Sequence, residues 1–113
     1  MLFRSPRDTF PPAAPQNVAA VALSGGTNGS VVADLSWSIN LETDLAGYRV
    51  YRSEQQGTRG ASITPELLLA PAYRDTSVEP GHRYWYSVTA VDRAGNESAP
   101  SAAVAVDVAK PLS

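Results

Sequence analysis

Apolar and polar residues alternate along much of this chain, which is the pattern of half-buried β-strands, because successive strand side chains point to opposite faces. The clearest run follows the Pro80-Gly81 turn. One of its faces is apolar apart from two tyrosine hydroxyls, and the other is mixed. The apolar face carries Tyr84, Tyr86, Val88 and Ala90, and the mixed face carries Trp85, Ser87 and Thr89. The run therefore predicts one strand of a β-sandwich.

Similar short runs recur at the spacing expected of an all-β sandwich. In the third run, Tyr48 and Val50 point inward while Arg49 and Tyr51 point outward. No segment shows the amphipathic pattern of a helix of about 11 residues or more. We predict strands at 18–23, 31–38, 48–52, 67–69, 72–74, 84–90 and 104–108, with a polar loop over 53–64.

Seven short strands in about 100 residues predict a seven-stranded antiparallel β-sandwich. The 113 residues are enough for one domain. Cysteine is absent, so the two sheets must be held together without a disulfide. We expect the core to contain Trp37, Tyr48, Val50, Tyr84, Tyr86 and Val88.

Proline-bearing segments flank the predicted strands. Prolines favour an extended, semi-rigid chain, so these segments indicate a module taken from a string of domains. The other interpretation is that they are ordinary frayed termini. We assign residues 1–12 to an N-terminal Pro-rich linker or tail, 13–109 to the domain and 110–113 to a C-terminal tail.

The charge pattern excludes several classes of partner. The formal net charge is −2, Lys110 is the single lysine, and the arginines are scattered. Nucleic-acid binding requires clustered cations, and membrane insertion requires about 20 consecutive apolar residues. Arg4, Pro6 and Arg7 also interrupt the first ten residues, which therefore do not resemble a signal peptide. Either the protein is cytoplasmic, or this is a piece of a longer exported chain.

Candidate catalytic groups are sparse and dispersed. His82 is the single histidine and has no obvious partner in sequence. Asp92, Asn96 and Glu97 offer oxygen ligands, but their spacing does not match a calcium-binding EF-hand loop. The aspartates lie on turns and outward strand positions, unlike the converging pair that glycoside cleavage needs. We expect no catalytic residue, no metal site and no cofactor.

Several motifs, taken in order, resemble the fibronectin type III family over roughly Pro12 to Val108. Trp37 looks like the core tryptophan of the family, and residues 47–52, Gly-Tyr-Arg-Val-Tyr-Arg, are similar to its third-strand motif. Tyr84, after the Pro80-Gly81 turn, looks like its corner tyrosine. Residues 92–98, Asp-Arg-Ala-Gly-Asn-Glu-Ser, are similar to a loop in copies from secreted bacterial proteins.

The resemblance implies an immunoglobulin-like sandwich in which the Tyr84 hydroxyl bonds to backbone near the preceding turn. It also implies that His82 lies in an exposed loop without a paired base. The Arg-Gly-Asp tripeptide used by adhesive members of the family is absent from the loop after Asp92. Integrin binding is therefore not implied.

The resulting functional expectation is a non-catalytic spacer or interaction module of a larger exported or cell-surface protein. It would be monomeric and extracellular or in the cell envelope, with neighbouring domains of the same polypeptide as partners.

The alternative is a module that binds carbohydrate or protein, through either a sheet face with Trp85 and Tyr51 exposed or the Arg93–Ala99 loop. If the third and sixth strands are neighbours, as in the family, their outward residues share a face. The competing interpretation places Trp85 under the 53–69 segment or against arginine stems. The candidate contact face is Arg49, Tyr51, Arg83, Trp85 and Ser87.

Overall fold

The computed structural model describes residues 11–25 and 30–108. These residues form seven strands and no helix. The strands are β1 (Ala19–Gly25), β2 (Ser30–Ser36), β3 (Leu45–Ser53), β4 (Ala61–Ser62), β5 (Ala72–Asp75), β6 (His82–Asp92) and β7 (Val104–Val108). Nothing in these ranges is a helix long and apolar enough to cross a membrane.

The strands form two antiparallel sheets. The three-stranded sheet has the order β1-β2-β5, and the four-stranded sheet has the order β4-β3-β6-β7. Every pairing within the sheets is antiparallel. The predicted all-β sandwich is therefore confirmed.

Aromatic side chains fill the space between the sheets. The ring of Trp37 meets that of Tyr48 edge-on, with centroids 5.3 Å apart, a favourable arrangement for aromatic pairs. Alternation along β6 directs Tyr84, Tyr86 and Val88 into the same space. All six residues expected in the core are buried: Trp37, Tyr48, Val50, Tyr84, Tyr86 and Val88.

The predicted strand boundaries need two corrections. Residues 67–69 do not form a strand, because Leu68 makes a single isolated bridge with Tyr48. The predicted loop over 53–64 contains the short strand β4, which pairs with the end of β3. Both differences come from contacts made by β3, and alternation within a short segment does not reveal such contacts.

Close approach of the 67–68 segment to β3 depends on Gly47. A Cβ atom at this position would lie 2.7 Å from the Leu68 carbonyl oxygen and 2.8 Å from the Leu67 Cβ. The register of the β3–β6 pairing also shifts between Leu45 and Gly47. Glycine is therefore required at position 47, because the Cβ of any other residue would collide with Leu67 and Leu68.

The turn before β6 has the expected corner geometry. The backbone N–H of Glu79 donates to the Tyr84 hydroxyl oxygen at 2.9 Å. Gly81 has a φ of 85°, in the left-handed region that favours glycine. The predicted bond between the Tyr84 hydroxyl and the preceding turn is thus present.

The N-terminal segment packs against the sandwich from Pro12 onward. Pro12 and Pro15 are buried, and the backbone N–H of Ala13 donates to Glu42 Oε2 at 2.9 Å. Pro12, the last residue of the predicted linker, is thus buried. Residues 1–10 and 109–113, which contain most of the predicted tails, lie outside the described residues.

Candidate contact face

The β3–β6 pairing brings part of the candidate face together. Tyr51 lies directly opposite Ser87, and Arg49 lies opposite Thr89. These side chains project from the outer surface of the four-stranded sheet, because the intervening residues point into the core. The third and sixth strands are therefore neighbours in one sheet, as predicted.

Tyr51 is only 7% exposed, so the expectation of an exposed tyrosine was wrong. The Arg59 guanidinium lies 4.2 Å from the centre of the Tyr51 ring, in a cation–π arrangement. The Tyr51 hydroxyl donates to Glu97 Oε2. Ser87, its partner across the sheet, is also buried. Tyr51 points outward as predicted, but other side chains cover it.

Glu97 connects the 93–99 loop to this end of the face. Its Oε2 also accepts from Thr89 Oγ1 at 2.6 Å, and its Oε1 lies 3.4 Å from Arg49 Nη1. Burial raises the pKa of the Glu97 carboxyl, but the hydrogen bonds from Thr89 and Tyr51 outweigh it and lower the pKa. Glu97 is therefore a carboxylate at neutral pH, and its bonds hold the 93–99 loop against β3 and β6.

Trp85 lies nearer the start of β6 than Ser87 and is half-buried. Its cross-strand neighbours are Ser53 on β3 and Ala105 on β7, both small residues. Arg83, two residues earlier, makes two hydrogen bonds to the carboxylate of Asp107, one of them 2.7 Å from Nη2 to Oδ2. At one end of the face, around Glu97, the polar side chains are bonded to one another within the domain. At the other end, Trp85 remains partly exposed.

His82 is the first residue of β6 and pairs with Val108, so its expected placement in a loop was wrong. Its Nδ1 lies 3.0 Å from Glu54 Oε1, and its Nε2 lies 3.5 Å from Glu79 Oε1. The ring also stacks on Tyr84, with centroids 6.0 Å apart. The contact with Glu54 was not visible in the sequence, because the two residues are 28 positions apart.

The Asp92 carboxylate organises the loop after β6. Its Oδ1 accepts from the backbone N–H groups of Ala94 and Asn96, at 3.0 and 2.8 Å. Its Oδ2 accepts from Asn96 Nδ2 at 3.1 Å. Both oxygens of the Asp92 carboxylate thus accept hydrogen bonds from the loop that follows it. Within residues 11–25 and 30–108, no group of three or more His, Cys, Asp or Glu could hold a metal ion.

Asp75 forms a polar network that bridges the two sheets. It is 2% exposed, at the end of β5 in the three-stranded sheet. Its Oδ2 accepts from Arg52 Nη1 at 2.8 Å and from the Tyr86 hydroxyl at 2.7 Å, and both donors belong to the four-stranded sheet. Its Oδ1 accepts from the Ser77 backbone N–H at 3.0 Å, a contact within the turn that follows β5. The sequence patterns did not reveal the contacts of Asp75 with Arg52 and Tyr86 across the two sheets.

The sandwich is similar to solved fibronectin type III structures. An Fn3-like protein from Clostridium thermocellum has 29% identity and a TM-score of 0.71, and the alignment covers 90% of this chain and 98% of that one. The chain is a fibronectin type III-like domain. No protein-family model matches it.

Curated relatives of this fibronectin type III-like domain are much longer proteins. An amylopullulanase of Thermoanaerobacterium saccharolyticum is 42% identical over 93 residues, covering 81% of this chain and 6% of the enzyme. Exoglucanase B of Cellulomonas fimi is 37% identical over 107 residues, covering 92% of this chain and 9% of the enzyme. A poly(3-hydroxybutyrate) depolymerase of Ralstonia pickettii is 40% identical over 84 residues, covering 74% of this chain and 15% of the enzyme. The chain thus spans a small fraction of each relative.

Proposed function

We propose that this domain is a non-catalytic spacer in a larger exported or cell-surface protein, where it holds neighbouring domains apart. The observation that carries the proposal is that similar segments occupy 6% of an amylopullulanase and 15% of a poly(3-hydroxybutyrate) depolymerase. One name denotes cleavage of a glycan and the other cleavage of a polyester. A segment shared by enzymes of such different chemistry is best explained by a role independent of either reaction.

The path of the chain supports a spacer. The N-terminal segment packs beside the loop that connects β2 and β3, where Ser38 N donates to Gln16 O at 2.9 Å. The last strand ends at the opposite end, where Val108 pairs with His82 and its carbonyl accepts from Gly81 N. The chain therefore enters and leaves at opposite ends. β6 has 11 residues, which corresponds to about 35 Å at about 3.3 Å per residue.

The extracellular location belongs to the same proposal. The relatives' names denote enzymes that act on polymers, and polymers of that kind are too large to be taken up intact. A domain of such an enzyme would work outside the cell or in its envelope. Neighbouring domains of the same polypeptide would then be its first partners, and it would itself be a monomer.

Replacement of the module in its parent polypeptide tests the spacer role. One variant lacks residues 11–108, a second carries an unrelated β-sandwich there, and a third carries a flexible Gly/Ser linker. Small-angle scattering should show a maximum dimension about 35 Å shorter for the deletion, restored by the sandwich. Cleavage of a small soluble substrate should be unchanged. Loss of that cleavage, or full restoration by the flexible linker, would contradict the proposal.

Trp85 favours a second candidate, a module that binds carbohydrate. Its half-buried indole lies between the small residues Ser53 and Ala105, so no large cross-strand neighbour lies beside it. Flat aromatic surfaces of this kind can stack on sugar rings. The other proposed site, the Arg93–Ala99 loop, has less support, because Glu97 is held by its own domain.

Tryptophan fluorescence tests this candidate directly. Trp37 is buried, so acrylamide should quench mainly Trp85. If soluble starch or cellulose fragments bind at Trp85, they should reduce that quenching. A Trp85→Ala variant should then fold normally and lose retention on the polysaccharide, while Tyr73→Ala, on the other sheet, should keep it. Unchanged retention of the Trp85→Ala variant would remove the candidate.

A further inference from the structure

Two aromatic side chains lie diagonally across the β3–β6 pair on the outer face of the four-stranded sheet. Tyr51 lies opposite Ser87, and Trp85 lies opposite Ser53. Diagonal neighbours in an antiparallel pair are about 7–8 Å apart, within reach of large side chains. The residues directly beside the two rings on neighbouring strands are all small: Ser53, Ser62, Ser87 and Ala105. The register therefore places two large rings side by side among small residues.

The two rings differ in what covers them. Trp85 is half-buried, whereas Tyr51 is buried although it points outward. The hydrogen bond from Tyr51 to Glu97 lies at the edge of the ring, while the Arg59 guanidinium lies over the ring, 4.2 Å from its centre. Arg59 is itself exposed. The guanidinium therefore separates the ring face of Tyr51 from solvent.

The contact that holds this cover is weak. Within residues 11–25 and 30–108, Arg59 makes no ion pair and no side-chain hydrogen bond, unlike Arg49 and Arg83 on the same face, which are paired with carboxylates. An exposed cation–π contact of about 0.5–1 kcal/mol favours the closed position by a factor of only about 2–5. The ring face of Tyr51 is therefore uncovered for a substantial fraction of the time.

The cover can be withdrawn without rearrangement of the backbone. Gly60, the next residue, approaches β3 so closely that an added Cβ atom would overlap the Arg52 carbonyl oxygen, so the chain beside Arg59 is fixed. Residues 54–60 are all exposed, which leaves the Arg59 side chain free to turn into solvent. Rotation of one side chain is therefore enough to uncover Tyr51.

We propose that Tyr51 and Trp85 together bind a neutral glycan chain, and that Arg59 is a removable cover on the Tyr51 half of the site. The inference rests on the carbohydrate-binding candidate above and adds the second ring, the charge of the ligand and the cover. The face of an aromatic ring is electron-rich, so it attracts cations and also the C–H groups of a sugar ring. A sugar can therefore replace the guanidinium on Tyr51.

Ion pairs at both ends of the site favour a ligand without charge. Beside Tyr51, Arg49 Nη1 lies 3.4 Å from Glu97 Oε1. At the Trp85 end, Arg83 donates to the Asp107 carboxylate. Each pair is neutral as a unit, yet its N–H groups and carboxylate oxygens can still bond to sugar hydroxyls. An anionic chain would instead meet a carboxylate at each end.

Isothermal titration calorimetry of residues 1–113 with maltohexaose and with cellohexaose tests the site. Arg59→Ala should tighten binding of the hexasaccharide that binds about 3–6-fold, because the cover no longer has to open first. Arg74→Ala removes the same charge from the other sheet and should leave the affinity unchanged. In the Arg59→Ala protein, Tyr51→Leu should abolish the gain and Tyr51→Phe, which keeps the ring, should preserve it.

NMR observes the cover directly and does not depend on a variant that folds. In the free protein, the δ-methylene protons of Arg59 should be shifted upfield by the Tyr51 ring. Saturation with the hexasaccharide should return them to the ordinary arginine position and leave those of Arg74 unchanged. Upfield Arg59 resonances that persist in the complex would show that the sugar does not reach Tyr51.

Other outcomes separate this inference from the candidate on which it rests. If Trp85→Ala abolishes binding while Arg59→Ala leaves it unchanged or weaker, carbohydrate binding stands and the cover falls. Tighter binding of an oligogalacturonate than of either hexasaccharide would overturn the neutral ligand. If none of the three oligosaccharides binds, the site and the carbohydrate-binding candidate fall together.

Discussion

Tyr86 donates its hydroxyl hydrogen to Asp75 Oδ2 at 2.7 Å, and this bond joins the two sheets inside the sandwich. Tyr86 is on β6 and fully buried, and Asp75 is on β5 and 2% exposed. Burial raises the pKa of the Tyr86 hydroxyl, and the bond to the Asp75 carboxylate raises it further. Tyr86 therefore remains a donor at all physiological pH values.

Tyr86→Phe should lower the free energy of unfolding by about 2 kcal/mol, because a hydrogen bond to a charged group contributes about 1.5–3 kcal/mol. Urea denaturation followed by circular dichroism measures the change. The matched control is Tyr73→Phe on β5, whose hydroxyl makes no hydrogen bond within residues 11–25 and 30–108. That control should change stability by less than about 0.5 kcal/mol. Equal losses in both variants would contradict a specific role for the Tyr86–Asp75 bond.

Asp75 should make stability depend on pH in the acid range. Burial raises the pKa of its carboxyl, but hydrogen bonds from Tyr86, Ser77 and Arg52 outweigh this and lower it below the ordinary value of 3.8. A carboxyl whose pKa is lower in the folded than in the unfolded chain stabilises the fold at any pH above its unfolded-state pKa. This stabilisation is lost as the pH falls through the folded-state pKa.

Wild type should therefore lose more stability than Asp75→Asn as the pH falls from about 5 to below the native pKa of Asp75. Urea denaturation at a series of pH values measures both curves. Since Asp75→Asn could unfold, a carboxyl carbon NMR titration of Asp75 in the wild type provides a second measurement. Parallel stability curves, or a titration of Asp75 at or above 3.8, would contradict the prediction.

Trp37→Ala should lower the free energy of unfolding by about 3–5 kcal/mol, because it opens a large cavity against Tyr48. Trp37 is 6% exposed and packs edge-on against that ring. Equilibrium denaturation provides the test. Leu41→Ala, at a side chain 89% exposed, is the control and should cost less than about 0.5 kcal/mol. A loss below about 1 kcal/mol for Trp37→Ala would mean that this indole does not organise the core.

Gly47→Ala should destabilise the domain by about 1–3 kcal/mol, the usual cost of forcing an extra methyl group into a packed site. The new Cβ would lie 2.7 Å from the Leu68 carbonyl oxygen. Hydrogen exchange at the Tyr48 and Leu68 amides should accelerate, because those groups hold the segment in place. Gly57→Ala is the comparison: its φ of 84° is strained for alanine, but no atom lies within 4 Å of the added methyl. It should leave exchange at Tyr48 and Leu68 unchanged.

The sequence alone was sufficient for the architecture. Alternation along β6 assigned Tyr84, Tyr86 and Val88 to the interior, because a strand has two faces and water is on one of them. The turn at Gly81 followed from the Pro-Gly pair, and the corner bond of Tyr84 was implied by the family resemblance. Such features depend on residues a few positions apart.

Which residues of the candidate face are exposed was decided by tertiary structure. Alternation placed Tyr51 on the outer surface correctly, yet Arg59 and Glu97 cover it, and Glu97 is 46 residues away. His82 similarly meets Glu54 across 28 residues, and Asp75 meets Arg52 across 23. Single-sequence patterns carry no signal for such pairs, because the folded arrangement of loops decides which charged groups meet. The sequence determined which side of each sheet a residue occupies, and only the fold decided what covers it.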